Sequence, residues 1–185
     1  MTEERLAGLV QPDQRSCGAA VLVAAQLLAT PAAAGLAATP EWFRTEVLAL
    51  HRRVTSARDV SGRWQLPWPR LLGTPPWAIA HHLSAVTGRE QDTRLVIDRD
   101  AALEQVLGAA ADGSPVPLYV GNRWLPRHVV LVTGVGPRDA LRCYDPARGA
   151  VVTVTGEAFV SGRLELSGWD RPWFTILPRG RHTRA

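Results

Sequence analysis

Residues 11–18 read Gln11-Pro12-Asp13-Gln14-Arg15-Ser16-Cys17-Gly18, and residues 18–29 continue as GAAVLVAAQLLA. A polar, turn-rich stretch ends at a serine, and an apolar run begins at a cysteine. Ser16 is the expected N-cap, so the pattern predicts a helix from Cys17 to about Ala29, closed by Thr30-Pro31. The run is apolar on nearly every side, which places this helix inside a core. A thiol at such a helix N-terminus meets the positive end of the macrodipole and unpaired backbone N–H groups. The same N–H groups can bind an oxyanion, and the side-chain amide of Gln11, six residues earlier, can supply a second donor. Cys17 by itself decides nothing, because an isolated cysteine at an apolar helix start is more often an inert small hydrophobe.

Far downstream, Arg127-His128-Val129-Val130-Leu131-Val132-Thr133-Gly134 reads as an apolar strand opened by a histidine. Period-two alternation puts Val130 and Val132 on the face of His128. The next strand ends in Cys143-Tyr144-Asp145-Pro146. A tight antiparallel connection would bring Asp145 beside His128. A carboxylate there accepts one ring N–H, fixes the tautomer and stabilises the imidazolium.

The remaining chain supplies the scaffold. Thr39-Pro40-Glu41 opens a second helix, with Phe43, Val47, Leu50 and Val54 as its apolar stripe. Thr74-Pro75-Pro76 opens a third, which stops near Gly88 and buries Ile79, Leu83 and Val86. Between them, residues 57–73 form a loop rich in Trp, Pro and Gly that includes Trp64, Trp68 and Pro69. These tryptophans either roof the core or line a binding surface. Strands are expected over Arg94–Ile97, Val116–Val120, His128–Val135, Ala140–Tyr144, Ala150–Val154 and Arg171–Leu177, with a helix over about Arg99–Ala111. Short spacings and the turn signals Gly134-Val135-Gly136-Pro137 and Pro146-Ala147-Arg148-Gly149 favour antiparallel hairpins. Helices first and an antiparallel sheet second describe an α+β domain. One domain is expected over residues 1–178, followed by a basic, frayed tail over 179–185.

The bulk numbers narrow the function classes. The chain has 185 residues, 46% of them apolar and 21% charged, which suits one globular domain. The net charge is +4, and every basic side chain apart from histidine is Arg. That charge is scattered except at Arg179, Arg181 and Arg184, whereas nucleic-acid binders concentrate it on one helix or stripe. No nucleic-acid partner is expected. Two cysteines, Cys17 and Cys143, are too few for a disulfide framework. Residues 18–29 followed by Ala32, Ala33 and Ala34 imitate a signal peptide and cleavage site. The leading segment carries Glu3, Glu4 and Asp13 against Arg5 and Arg15, which is the wrong charge for a signal. The run is also short for a membrane span. A cytoplasmic protein with no membrane partner is the expectation. His51, His81, His82 and His182 are expected on the surface. His81-His82 has no carboxylate or Cys at ligand spacing, so no metal is expected. Cys143 reads as a packed core thiol. Gly134-Val135-Gly136 leads into Pro137 instead of a helix, so it is no phosphate loop.

Taken in order, Gln11…Cys17-Gly18, His128-Val-Val-Leu-Val-Thr-Gly134 and Tyr144-Asp145-Pro146 with Gly149 resemble the bacteriocin double-glycine leader peptidase family and its stand-alone relatives. The resemblance spans most of the chain and implies a papain-like cysteine peptidase fold. It implies Cys17 as nucleophile, His128 as base and acid, Asp145 as orienting group and Gln11 as oxyanion donor. It further implies cleavage of a peptide or amide bond through an acyl-enzyme, with no cofactor. Exporter-fused members commonly have Asp before the nucleophile, where this chain has Ser16, and precede a membrane-transport region that is absent here. The looser stand-alone group is therefore the nearer match. Acyl transfer shares the first half-reaction with hydrolysis, and a catalytically inactive peptide-binding relative would keep the same groove. Trp64, Trp68 and Trp124 are expected to wall that groove. Oligomeric state leaves no trace in the sequence.

Overall fold

Helices come first and strands follow in the computed structural model, which describes residues 3–29 and 38–180. Three helices lead: α1 (Cys17–Ala29), α2 (Pro40–Val54) and α3 (Pro76–Thr87). Then come β1 (Gln91–Leu95), α4 (Arg99–Ala111), β2 (Val116–Gly121), β3 (Pro126–Val135), β4 (Leu141–Asp145), β5 (Ala150–Val154), α5 (Gly156–Ser161) and β6 (Arg171–Pro178). The strands form one sheet in the order β1-β6-β2-β3-β4-β5, and every neighbouring pair is antiparallel. This is the α+β architecture expected from the sequence. The Thr30-Pro31 stop, the alanines at 32–34, Arg181, His182 and Arg184 lie outside the described residues.

The sheet separates two apolar layers. On one face Tyr119, Val129, Leu131, Tyr144 and Ile176 pack against α1, α2 and α3. On the other, Leu118, Val120, Val130, Val132 and Cys143 pack against Val106 of α4 and Phe159 of α5. Alternation along β3 sends odd and even residues to opposite layers, so both faces of the strand are apolar. Helix α1 is the centre of the first layer. Ala19, Ala20, Val21 and Leu22 are all fully buried, and each of the larger two contributes about 1.5–3 kcal/mol by leaving water.

Several expectations need correction. Ser16 stands at the N-cap position as expected, its carbonyl accepting the Ala20 N–H at 2.8 Å, but its hydroxyl donates to the Asp13 carbonyl at 3.4 Å. On α3, Ile79 and Leu83 are buried, but Val86, in the last turn, is 44% exposed. His51 and His82 are buried, not surface residues. The helical period that selects Phe43, Val47 and Val54 also selects His51. The first strand runs over Gln91–Leu95, so Ile97 stands beyond it, 85% exposed. That edge strand, QDTRL, has no apolar alternation to betray it. Strand β3 starts at Pro126, two residues before His128. Helix α5 was unforeseen, being six residues long and too short for a period to show. Its one clear signal is Thr155, which caps the Ala158 N–H.

At the chain's far end, Arg179 donates its N–H to Glu90 O and pairs its guanidinium with Asp92 at 2.8 Å. No helix among the described residues is long and apolar enough to cross a membrane.

Candidate active site

Asp13 sets the direction of approach to α1. Its Oδ1 accepts the N–H groups of Arg15 (2.8 Å) and Ser16 (2.9 Å), a local turn that delivers Cys17 to the first helical position. The residue after the cysteine must be small. A Cβ at Gly18 would lie 2.7 Å from Thr74 Cβ and 3.1 Å from Ile79 Cδ1, so α3 closes against the start of α1. Tyr119 on β2 locks that closure from the sheet side, its hydroxyl donating to Thr74 O at 2.6 Å. Burial and the neighbouring Cys17 hold the Tyr119 phenol well above its ordinary pKa, so it stays a donor.

His128 comes from the sheet. Val120 pairs with His128 and Gly121 with Pro126, which leaves Arg127 as an extra residue in β3. Such a bulge bends a strand end and re-aims its side chains. Gly121 is needed here, since a Cβ would sit 2.0 Å from Leu125 O across the hairpin. The β3–β4 register pairs Leu131 with Tyr144, which sets Asp145 one diagonal step from His128. His128 Nε2 and Asp145 Oδ1 are 2.8 Å apart, with the imidazole 5% exposed and the carboxylate fully buried. The Cys17 thiol acts on the same ring as a hydrogen-bond and charge partner, while Nε2 is engaged by Asp145. Burial pulls the imidazole pKa down, but the Asp145 hydrogen bond and the thiol outweigh it and raise it to about 9. Burial would push the Asp145 carboxyl up, yet the hydrogen bonds from His128 and Ser167 leave it below its ordinary value.

Ser167 is the member that sequence reasoning missed. Its hydroxyl donates to Asp145 Oδ2 at 2.5 Å. Leu166 and Trp169 exchange both backbone hydrogen bonds at 2.9 Å, and Ser167 and Gly168 turn the corner with φ of 49° and 85°. Two consecutive positive φ values mark the tight hairpin turn that matches strand twist. Its Ser-Gly dipeptide was the available signal. Oδ1 of Asp145 also accepts the Ala147 N–H at 3.0 Å, and Arg148 Nε stands 3.8 Å from Oδ2.

Gln11 is held beside this carboxylate by its backbone. Its N–H donates to Pro146 O at 2.8 Å, Tyr144 Oη donates to Leu9 O at 2.5 Å, and Gly8 N–H donates to Gly149 O at 2.8 Å. A Cβ at Gly149 would come 2.7 Å from Val10 Cγ2, so the strap needs a glycine there. One amide proton of Gln11 goes to Asp13 O at 2.7 Å; Oε1 is buried with no partner among the described residues.

The structure thus brings Cys17, His128, Asp145 and Gln11 to one end of the sheet. The three tryptophans stand differently. Trp64 is 73% exposed on the 57–73 loop, and Trp124 is 68% exposed on the β2–β3 turn under the Arg123 guanidinium, 4.5 Å from the ring centre. Trp68 is half-buried and packs edge-on against Trp77, centroids 5.1 Å apart. Leu66, Leu71 and Leu72 are exposed on the same loop as Trp64. Cys143 is fully buried, and burial together with Asp145 and Glu3 pushes its thiol up to about 12. Among the described residues no three His, Cys, Asp or Glu side chains gather closely enough to hold a metal ion.

No family model matches the sequence, and no curated protein matches it. Among solved structures, the chain is similar to the peptidase domain of Streptococcus ComA, a bi-functional ABC transporter involved in a quorum sensing pathway. The identity is 17% and the TM-score 0.49, covering 92% of this chain and 97% of that one. It is also similar to the peptidase domain of Streptococcus mutans ComA, at 16% identity and a TM-score of 0.45, covering 93% of this chain and 98% of that one.

Proposed function

We propose that this protein is a papain-like cysteine peptidase or amidohydrolase. The observation that carries the reading is the buried His128 Nε2–Asp145 Oδ1 contact of 2.8 Å, with the Cys17 thiol acting on the same imidazole. An imidazole fixed at Nε2 presents Nδ1 to the thiol and takes its proton. The thiolate attacks a carbonyl carbon, and the oxyanion forms between the Cys17 backbone N–H and the side-chain amide of Gln11. One such donor is worth roughly 10²–10³ in kcat. The imidazolium returns its proton to the departing amine, leaving a thioester on Cys17. Water, deprotonated by the now neutral His128, releases the acid and frees the thiol. The exposed Trp64 and the half-buried Trp68 would line one side of the substrate groove, and Trp124 the other.

The test is the rate of iodoacetamide labelling of Cys17 against pH, in wild type and in His128→Ala. A free thiol titrates near 8.5, whereas a His-paired catalytic thiol titrates at about 3–4. Cys143 is buried and titrates at about 12, so it stays silent over the useful range. The expected result is fast labelling at acidic pH that disappears in His128→Ala. Labelling that begins only near pH 8 in both proteins would refute the ion pair.

A further inference from the structure

A cavity opens at the same end of the sheet, lined by the ends of β1 and β6, the start of α4 and the β2–β3 turn. It is about 530 Å3, and Arg99, Arg123 and Arg171 all line it. The only carboxylate on its wall is Asp98, and that side chain is already committed. It caps α4 by accepting the N–H groups of Asp100 and Ala101 at 3.0 and 3.1 Å. Among the described residues none of the three arginines takes part in an ion pair. Three like charges around one cavity repel each other, and an anion between them removes that cost.

Two of the three guanidinium groups are held in place before any ligand arrives. Arg99 donates to Val160 O at 3.1 Å and lies against Gly162, where a Cβ would be 3.0 Å from its Nη1. Arg123 stacks on Trp124. Preorganised groups lose less entropy on binding, and guanidinium forks match the two oxygens of a carboxylate. The remaining wall is apolar. Leu95 is 53% and Ile97 85% exposed there, and Trp173 is fixed by donating Nε1–H to Asn122 O at 2.9 Å.

Position ties this cavity to the proposed chemistry. Gly121 pairs with Pro126 on one side and with Arg171 on the other, so the start of β6 is level with the His128 end of β3. Strands lie about 4.8 Å apart, so β6 is about 10 Å from β3 and β1 about 15 Å. An extended peptide covers that in roughly three to five residues at about 3.3 Å each.

We propose that the Arg99–Arg123–Arg171 cavity is a carboxylate subsite, binding an acidic side chain or the C-terminal carboxylate of a peptide roughly three to five residues from the bond held at Cys17. For its place in catalysis the subsite rests on the hydrolase reading; carboxylate binding does not.

The first arm of the test uses Cys17→Ala protein, ¹⁵N-labelled, and follows the arginine Nε–H resonances. The probes are N-acetyl-Ala-Ala-Ala-Glu-amide, its Gln-amide counterpart, and the Gln peptide with a free carboxyl end. Saturable shifts at the three arginines with the Glu-amide support a side-chain carboxylate, and shifts with the free acid support a terminal one. The Gln-amide should move nothing, nor should the exposed Arg44 on α2 respond. Arg123→Gln/Arg171→Gln, which leaves the Arg99 anchor intact, should weaken binding at least tenfold. Equal shifts at Arg44, or none at the cavity, overturn the subsite. The second arm digests a peptide mixture with wild type and reads cleavage sites by mass spectrometry. Acidic residues or chain ends should be enriched within three to five residues of the cut, and Arg123→Gln/Arg171→Gln should lose the enrichment while keeping Cys17 labelling. Cleavage with no such enrichment overturns the subsite. Specific resonance shifts without any cleavage would sink the hydrolase reading and leave carboxylate binding standing.

Discussion

His82 on α3 and His128 on β3 are almost equally buried, at 4% and 5% exposure, yet they titrate on opposite sides of neutrality. Among the described residues His82 meets only the amide of Gln26 at 3.0 Å, its Nδ1 has no partner, and Arg53 is the nearby charge. Burial, with Arg53 adding to it, lowers its pKa to about 4. His128 suffers the same burial, but Asp145 and the Cys17 thiol turn the balance and raise it to about 9. Burial supplies the penalty at both places, and a placed carboxylate decides which protonation state survives. A buried histidine is therefore no sign of chemistry until its partner is known.

The largest expected effect comes from making His128 resemble His82. Asp145→Asn keeps the shape and removes the charge. His128 should then titrate far below 9, and kcat/KM on any peptide substrate found should fall roughly 10³-fold or more. A raised folded pKa stabilises the protein fully below the ordinary 6.5 and loses that contribution as pH rises through about 9. Wild type should thus lose stability across that window, and Asp145→Asn should not. A His128 proton resonance still titrating near 9 in the variant would break the comparison.

A smaller effect should follow from Ser167→Ala, which leaves the charge of Asp145 and removes one of its hydrogen bonds. A hydrogen bond to a charged group is worth about 1.5–3 kcal/mol. A loss of about tenfold in kcat/KM is expected, with the Asp145 carboxyl titrating higher and the acid limb of the rate profile moving up. Thr at this position should restore the hydroxyl and part of the rate. An unchanged pH profile would reduce Ser167 to a turn residue.

The smallest effect belongs to His82→Leu. Activity should be unaltered. With a folded pKa of about 4 against an ordinary 6.5, the wild-type His82 costs stability as pH falls between those values, because the unfolded chain takes the proton first. The variant should show a flatter fall in urea midpoint over that range. At pH 7 it should lose about 1 kcal/mol from the unpaired Gln26 amide. A steeper acid decline would reverse the reading of His82.

The sequence made the proposed constellation visible because its members are chemically unusual where they stand. A thiol opens an apolar helix, an imidazole stands near the start of an apolar strand, and a carboxylate ends the next one. Hairpin spacing then gave the β3–β4 neighbourhood. What remained hidden has physical causes. His51 and His82 were judged by residue type, although α2's own period buries His51. Edge strand β1 is polar because one sheet edge faces solvent. Ser167 is announced only as part of a Ser-Gly turn, and nothing in that dipeptide tells which carboxylate its hydroxyl meets. The arginine cavity gathers Arg99, Arg123 and Arg171 from three distant segments, and only the sheet order brings them together.

The strap of residues 8–11 across the β4–β5 turn also sets when the site can exist. Tyr144 Oη reaches Leu9 across 135 positions of chain, and Gly8 bonds to Gly149. On the ribosome Cys17 emerges more than a hundred residues before His128, Asp145 and Pro146, the anchor for Gln11. Until then the thiol has none of these neighbours. On the proposed reading a nascent chain is chemically quiet at Cys17, and reactivity there would report that β3 and β4 have docked.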